Sequence, residues 1–261
     1  MSGGDGAFAE ATTPQVIFSA EAGALGVQNH NIKFGKSGTQ VDYLRDGRQD
    51  ILYPFQRFQA SVATPDSRWI FLYQPLVLES RPVLKRDILV DGETFAAGTP
   101  MNLTYSFPFF RVSYLSMTAY GSGVWGWGGS LQIRNASIIF ESAAGDRRTI
   151  NQNIGPVPAF KGFWQHNLGA TFVATEVDTM YAPVKVLNGS DSDVVGAFTD
   201  ASLKYGLRSS DDSRQYFAAV RYVGGGARGT SERGPKRTDG YSSNWIDLVT
   251  FSLGVNYQLA L

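Results

Sequence analysis

Hydrophobic and polar positions alternate along most of this chain, most plainly in its last segment. There Trp245, Val249, Phe251, Leu253, Val255, Tyr257 and Leu259 share one side with Asp247 and the terminal Leu261. Thr250, Ser252, Gly254, Asn256 and Gln258 share the other with Ile246, Leu248 and Ala260. Successive side chains of a strand point to opposite faces, so this is a strand with an apolar side and a small, polar side. Helical periodicity is nearly absent elsewhere. Strand-like segments recur at 15–26, 53–64, 67–78, 104–118, 123–140, 150–164, 168–178, 194–207, 214–224 and 245–261. Most match or exceed the length of about 9–11 residues that crosses a bilayer at a tilt.

The connections alternate too. Every second one is short: "TPDS" at 64–67, "YGSG" at 120–123, "QHN" at 165–167 and "RSSDDS" at 208–213. The intervening ones, 27–52, 79–103, 141–149, 179–193 and 225–244, are mostly long. In an up-and-down antiparallel barrel alternate connections lie at one end, so tight turns would gather at one rim and long polar loops at the other. Segments 30–43 and 85–98 could add short strands, and "VDGE" at 90–93 suits a hairpin turn.

With the polar register turned inward, the lumen receives Ser19 and Glu21, then Arg57, Gln59 and Ser61, then Arg111 and Ser113. Ser130, Gln132 and Arg134 follow, then Lys161, Asp200, Ser202, Lys204 and Arg221. Gln74 and Glu176 are the inward candidates on the two ambiguous segments. Alternation alone also fits a soluble sandwich or a lipocalin-like barrel with its apolar side inward. Three features favour the inverted, membrane arrangement. The polar register is mainly Ser, Gly, Ala, Thr, Gln and Asn, with few of the Lys and Glu of a solvated skin. Trp69, Trp125, Trp127 and Trp164 adjoin short turns and Trp245 opens a strand, with Tyr205, Tyr216 and Tyr257 on the turn side and Tyr53, Phe55, Tyr105 and Phe107 at the other end. Amphipathic rings at strand ends suit a headgroup-level girdle. Charge concentrates in the long connections, notably 79–93 and 227–240.

Composition narrows the rest. The 261 residues carry 23 basic and 23 acidic side chains, so no global field points to nucleic acid. There is no cysteine, which excludes disulfides and thiolate metal sites. No apolar run is long enough for a membrane helix. Residues 1–14 read as a flexible segment without signal-peptide character, the signal being absent from this chain and expected to have been removed, and 15–261 as one domain.

The last strand resembles the C-terminal targeting strand of bacterial outer-membrane β-barrel proteins, with Leu253, Val255, Tyr257 and Leu259 at alternate positions. Such strands usually close on Phe or Trp; this one closes on Leu261. Residues 15–261 also resemble an uncharacterised group of proteobacterial outer-membrane proteins, loosely and with no activity implied. The expectation is an all-β fold, a transmembrane up-and-down antiparallel β-barrel of about ten strands (eight to twelve), with short periplasmic turns and long extracellular loops. The resemblance implies a Gram-negative outer membrane, contact with its lipids and lipopolysaccharide, and recognition of the last strand by the barrel-assembly machinery.

Candidate chemistry is sparse. The lumen set Glu21, Arg57, Arg111, Arg134, Lys161, Asp200, Lys204 and Arg221 would form either a structural network or a narrow pore whose cationic excess favours small anions. His30 on the first long loop could act as a base beside one of Asp42, Asp178, Asp191, Asp193 or Asp239, as in an outer-membrane hydrolase acting on lipid or peptide; loop aspartates are more often turn formers. His166 falls in an expected turn and the Asp211–Asp212 pair reads as turn chemistry. Arg228, Arg233, Lys236 and Arg237 form a basic loop patch that could meet lipopolysaccharide phosphates or a surface partner, on a loop that Gly224, Gly225, Gly226, Gly229 and Gly234 make flexible. The "GSGVWGWGG" run at 121–129 has no helix after it, so its glycines ease bending or ring packing and do not cradle phosphate. No metal spacing and no cofactor motif are present.

Overall fold

The computed structural model describes residues 14–183, 193–230 and 239–260, with backbone alone at 134, 153 and 154. Its strands are β1 (Gln15–Phe34), β2 (Val41–Asp42), β3 (Leu52–Ala63), β4 (Ser67–Gln74), β5 (Val77–Ser80), β6 (Ile88–Val90), β7 (Glu93–Phe95), β8 (Met101–Ser106), β9 (Phe109–Tyr120), β10 (Gly123–Ser142), β11 (Arg148–Leu168), β12 (Thr171–Pro183), β13 (Val195–Arg208), β14 (Arg214–Thr230) and β15 (Tyr241–Ala260). The wall is a closed antiparallel barrel of ten strands, β15 pairing with β1 along nearly its whole length. Two of the ten are nicked: β4 and β5 are halves of one strand, and so are β8 and β9, because Pro75 and Pro108 stand opposite each other and cannot donate to the ladder. Register is kept across both nicks.

Stepping across partners from Asn29 leads through Asp247, Gly224, Thr199, Thr179, Phe160, Gly129, Tyr114, Trp69 and Val62 back to β1 at Val16. That stagger, roughly a dozen residues around the wall, requires strands tilted about 40° to the axis. A strand of 20 residues such as β1 then stands about 50 Å tall, twice an apolar band of about 25 Å. The wall therefore projects well beyond any bilayer it crosses, on the loop side.

The side chains show where it emerges. On β9, Phe110, Val112 and Tyr114 face out while Arg111 and Ser113 face in. Above Pro108 the polarity swaps: Met101, Leu103 and Tyr105 face in while Asn102, Thr104 and Ser106 face out. The same swap occurs on β10 between Ile133 and Asn135, and on β1 near its bulge at Val27/Asn29, beyond which Ile32 and Phe34 are buried. The turn-side storey is thus inverted and the loop-side storey is built like a water-soluble core. Leu25, Val27, Phe55, Leu72, Leu76, Leu78, Phe140 and Leu248 meet there in one apolar cluster. This corrects the expectation of a polar lumen throughout, and it places Phe55 and Tyr105 in that interior, outside any girdle.

The loops close the top. The β6–β7 hairpin turns on Asp91 and Gly92, both left-handed (φ 52° and 80°), and buries Ile88, Val90 and Phe95 in the barrel mouth. Thr39 holds it through hydrogen bonds with Leu89, and Arg86 contacts Asp46 at 2.7 Å. Several boundaries differ from the sequence expectation. β11 runs to Leu168, so its turn is Gly169–Ala170 and His166 is a strand residue, its ring roughly parallel to those of Tyr120 and Trp164. β14 continues through Gly224–Gly226 to Thr230, because glycines let β15 approach; a Cβ on Gly226 would lie 1.9 Å from the Asn244 carbonyl oxygen.

In the loop-side storey the wall also opens along two lines. β3 and β4 pair only as far as Phe58–Tyr73, and β11 and β12 only as far as Phe160–Thr179. Prolines mark both stops: Pro54 and Pro75 at the first, Pro156, Pro158 and Pro183 at the second. Two lobes result, one of β4/β5, β8/β9, β10 and β11, the other of β12 to β15, β1 and β3, with the apolar cluster between them.

Candidate functional site

A belt of polar side chains fills the membrane-level lumen, and every strand of the wall contributes: Glu21, Arg57, Gln74, Arg111, Gln132, Lys161, Glu176 with Asp178, Asp200 with Lys204, Arg221, and Ser252. Strand alternation aims each of them inward, and ladder pairing sets neighbours such as Glu21 and Arg57 directly opposite.

The ion pairs are shared. Asp200 receives Arg221 at 2.9 Å and Arg111 at 3.0 Å, with Arg57 at 3.6 Å. Asp178 receives Arg111 and Lys161, each at 2.8 Å, and a hydrogen bond from Ser130. Glu176 binds Lys204 at 3.1 Å and Lys161 at 3.3 Å. Glu21 closes the circuit with Lys204 at 3.4 Å, Arg221 at 3.6 Å and Ser252 at 3.1 Å. Gln132 fixes the Arg111 guanidinium with bonds to Nε and one terminal nitrogen. Buried charges cost several kcal/mol each to desolvate, so such a belt persists only when every member is answered.

The inward set read from sequence is therefore brought together: Glu21, Arg57, Arg111, Lys161, Asp200, Lys204 and Arg221, with Glu176 and Gln74. The side chain of Arg134 lies outside the described residues. Asp178 is a correction. Grouped by sequence with outer-loop acids, it sits in the belt because β12 runs five residues further, to Pro183. With it, the described members of the belt are five cations and four carboxylates, one carboxylate more than the sequence reading gave the lumen.

Little space remains. A cavity of about 20 Å³ lies on the turn side of the belt among Gln59, Arg68, Phe163, Glu176 and Lys204. Another of about 30 Å³ lies by Arg68 and Phe163 at the rim. Either has room for a water or two. On the loop side the lumen is largely apolar, filled by the cluster except along the β11/β12 line.

His30 belongs to that filled storey. It is 0% exposed, its Nδ1 is 2.6 Å from Gln49 Oε1, and it stacks on Tyr43 and edge-on to Tyr105. Burial pushes its pKa down to about 4, with the Gln49 bond opposing. No carboxylate is within hydrogen-bonding reach of it among the described residues, so the His30–Asp base pairing is corrected to a core histidine. The candidate acids scatter. Asp42 caps its own loop through Arg45 and Leu44, Asp239 accepts from Lys36 and Tyr241, and Asp193 accepts from Thr230. Asp191 lies outside the described residues. Asp211 is turn chemistry: the hydroxyls of Ser209 and Ser213 and the Ser213 N–H lower its pKa to about 2. Among the described residues no cluster of three His, Asp or Glu is arranged to hold a metal ion.

On the outside, Trp69, Trp125, Trp127, Trp164, Tyr205 and Tyr257 are all exposed, together with Phe251, Leu253, Leu203 and Phe160. Arg228 is exposed near the end of β14; Arg233, Lys236 and Arg237 lie outside the described residues.

No protein-family model matches the chain, and no curated protein matches it in sequence. Among solved structures it is similar to the outer-membrane protease OmpT from Escherichia coli, at a TM-score of 0.53 and 8% identity, covering 94% of this chain and 97% of that one. It also aligns with the Pseudomonas putida toluene transporter TodX (TM-score 0.31, 8% identity, 95% and 90% covered) and a Pseudomonas aeruginosa FadL homologue (0.37, 8%, 96% and 91%). The fold is that of bacterial outer-membrane β-barrels. At such identity the likeness speaks for the fold alone.

Proposed function

We propose that this chain is a closed structural barrel of a Gram-negative outer membrane, a lipid-embedded base that holds a rigid two-lobed head on the loop side. The observation that carries this reading is the stacking of two seals in one lumen, the ion-paired belt and the apolar cluster above it. A solute path along the barrel axis would have to break both. In this reading the exposed apolar band meets outer-membrane lipid, lipopolysaccharide surrounds the head, and the assembly machinery engages β15.

Planar-bilayer recording tests it. The closed barrel is expected to be silent. Ohmic steps with anion preference, reduced by Arg111→Glu, would establish a narrow pore in its place. A hydrolytic role would require turnover of lipid or peptide lost in His30→Gln while the folded gel mobility is kept; the burial of His30 speaks against it.

A further inference from the structure

The two openings in the wall are unlike. At the β3/β4 opening the interior stays sealed. Phe55, Leu76 and Leu78 remain buried, and the Tyr53 hydroxyl donates to the Glu79 carbonyl oxygen across the gap. At the β11/β12 opening the inward face itself becomes accessible. Lys161 and Asp178, the last inward pair below it, are each 1% exposed. One step above, Ala159, Val157 and Gly155 on β11 and Met180 and Ala182 on β12 are all half-exposed. A Cβ added to Gly155 would touch nothing within 4 Å.

The chemistry of the edges is as telling. The β10–β11 ladder runs unbroken through Pro156 and Pro158, which have no N–H to give. Their donor side therefore faces away from β10, toward β12. Extending the β11–β12 register would set Pro158 against Tyr181 and Pro156 against Pro183. Of the four N–H groups in these two pairs, three are thus absent from the sequence. An unpaired edge in hydrocarbon is costly chiefly through its unsatisfied donors and acceptors. Prolines also block the addition of another strand. Pro158 and Pro156 lie beside Leu131 and Ile133 of β10, which face outward in the exposed apolar band.

We propose that the β11/β12 gap is a lipid-binding notch that takes the acyl chain of a loop-side leaflet lipid between Pro156–Phe160 and Tyr181, against Val157, Ala159, Met180 and Ala182. The lining is apolar, three of the four donors in its two facing pairs are deleted, and its neighbours are lipid-facing. A hydrocarbon chain fills it without needing a hydrogen bond. The inference rests on the membrane reading above.

Single-cysteine variants test it, since the native chain has no cysteine. Val157→Cys and Ala182→Cys are labelled with bimane and reconstituted into vesicles containing phosphatidylcholine brominated along its chains. Leu253→Cys serves as the outward control. The proposal expects quenching at 157 and 182 comparable to that at 253, with aqueous iodide ineffective at all three. Quenching by iodide, or none by bromolipid, at 157 and 182 while 253 responds would overturn the notch and leave the membrane reading intact. Failure at 253 would overturn the membrane reading itself. As a second arm, Pro156→Val/Pro158→Val returns two N–H groups, so pairing with β12 should extend and bromolipid quenching at 182 should fall; unchanged quenching counts against the proposed edge chemistry. Heat-modifiable gel mobility confirms that each variant is folded.

Discussion

Asp200 is the anion on which most of the belt converges, so Asp200→Asn should be the most damaging isosteric change in the lumen. The carboxylate lies 2.9 Å from Arg221, 3.0 Å from Arg111 and 3.6 Å from Arg57. Each contact near 3 Å contributes about 5 kcal/mol of Coulomb attraction at an effective dielectric of about 20, most of it offset by desolvation. Asparagine removes the charge and turns an amide N–H₂ toward guanidinium groups that can only donate. Among the described side chains the belt goes from five cations against four carboxylates to five against three. Breaking a buried pair in this way costs about 3–5 kcal/mol. Urea unfolding in lipid vesicles, followed by the five native tryptophans, would read the loss. Adding Arg221→Gln removes one of the two surplus cations, so the double variant should recover part of the lost stability, a coupling that two independent sites would not show. Asp200→Asn within about 0.5 kcal/mol of the parent, or strict additivity in the double variant, would refute the belt as a mutually dependent network.

Other expectations follow from the same geometry. Because burial lowers the folded pKa of His30 to about 4 from an ordinary 6.5, the unfolded chain binds the extra proton between those values; stability of the head is full above pH 6.5 and falls as pH drops toward 4, by about 3 kcal/mol in all. Hydrogen exchange of Tyr43 and Leu103 amides across that window should show the loosening, and His30→Phe should flatten it. Gly128→Ala should destabilise by about 1–3 kcal/mol, since its Cβ would lie 2.0 Å from the Tyr114 carbonyl oxygen, whereas Gly129→Ala meets only a carbonyl oxygen at 3.7 Å and should be near neutral in the same urea assay. The unboiled protein should migrate differently from the boiled one on a detergent gel; identical mobility would argue against a membrane barrel.

The strand count, the hairpin order and the described members of the inward set from Glu21 to Arg221 were legible in the sequence because alternation has period two and the polar register carries one or two charges per strand. The loop-side storey was missed for a physical reason. Above Pro108 and Ile133 the strands keep their direction and alternation but exchange polarity between faces, so Leu103 and Tyr105 look like lipid-facing residues when only the pattern is read. A signal was present: Asn102, Thr104 and Ser106 are too polar for a lipid face, and in register with Phe110 and Val112 they mark the exit from the membrane. The soluble-core and membrane readings that alternation could not separate are both realised, one above the other, in the same strands. Asp178 was misplaced because its strand was ended too early. The two openings were written in the prolines, yet Pro156 and Pro158 acquire meaning only once the partner across the gap is known.

The central claim is the inversion of faces at the turn-side storey, and β15 tests it most directly. Spin labels placed one at a time at 249–258 should show lipid-soluble oxygen accessibility with period two, high at Phe251, Leu253, Val255 and Tyr257 and low at Thr250, Ser252 and Gly254. Maxima at the even positions, or no periodicity at all, would contradict the account.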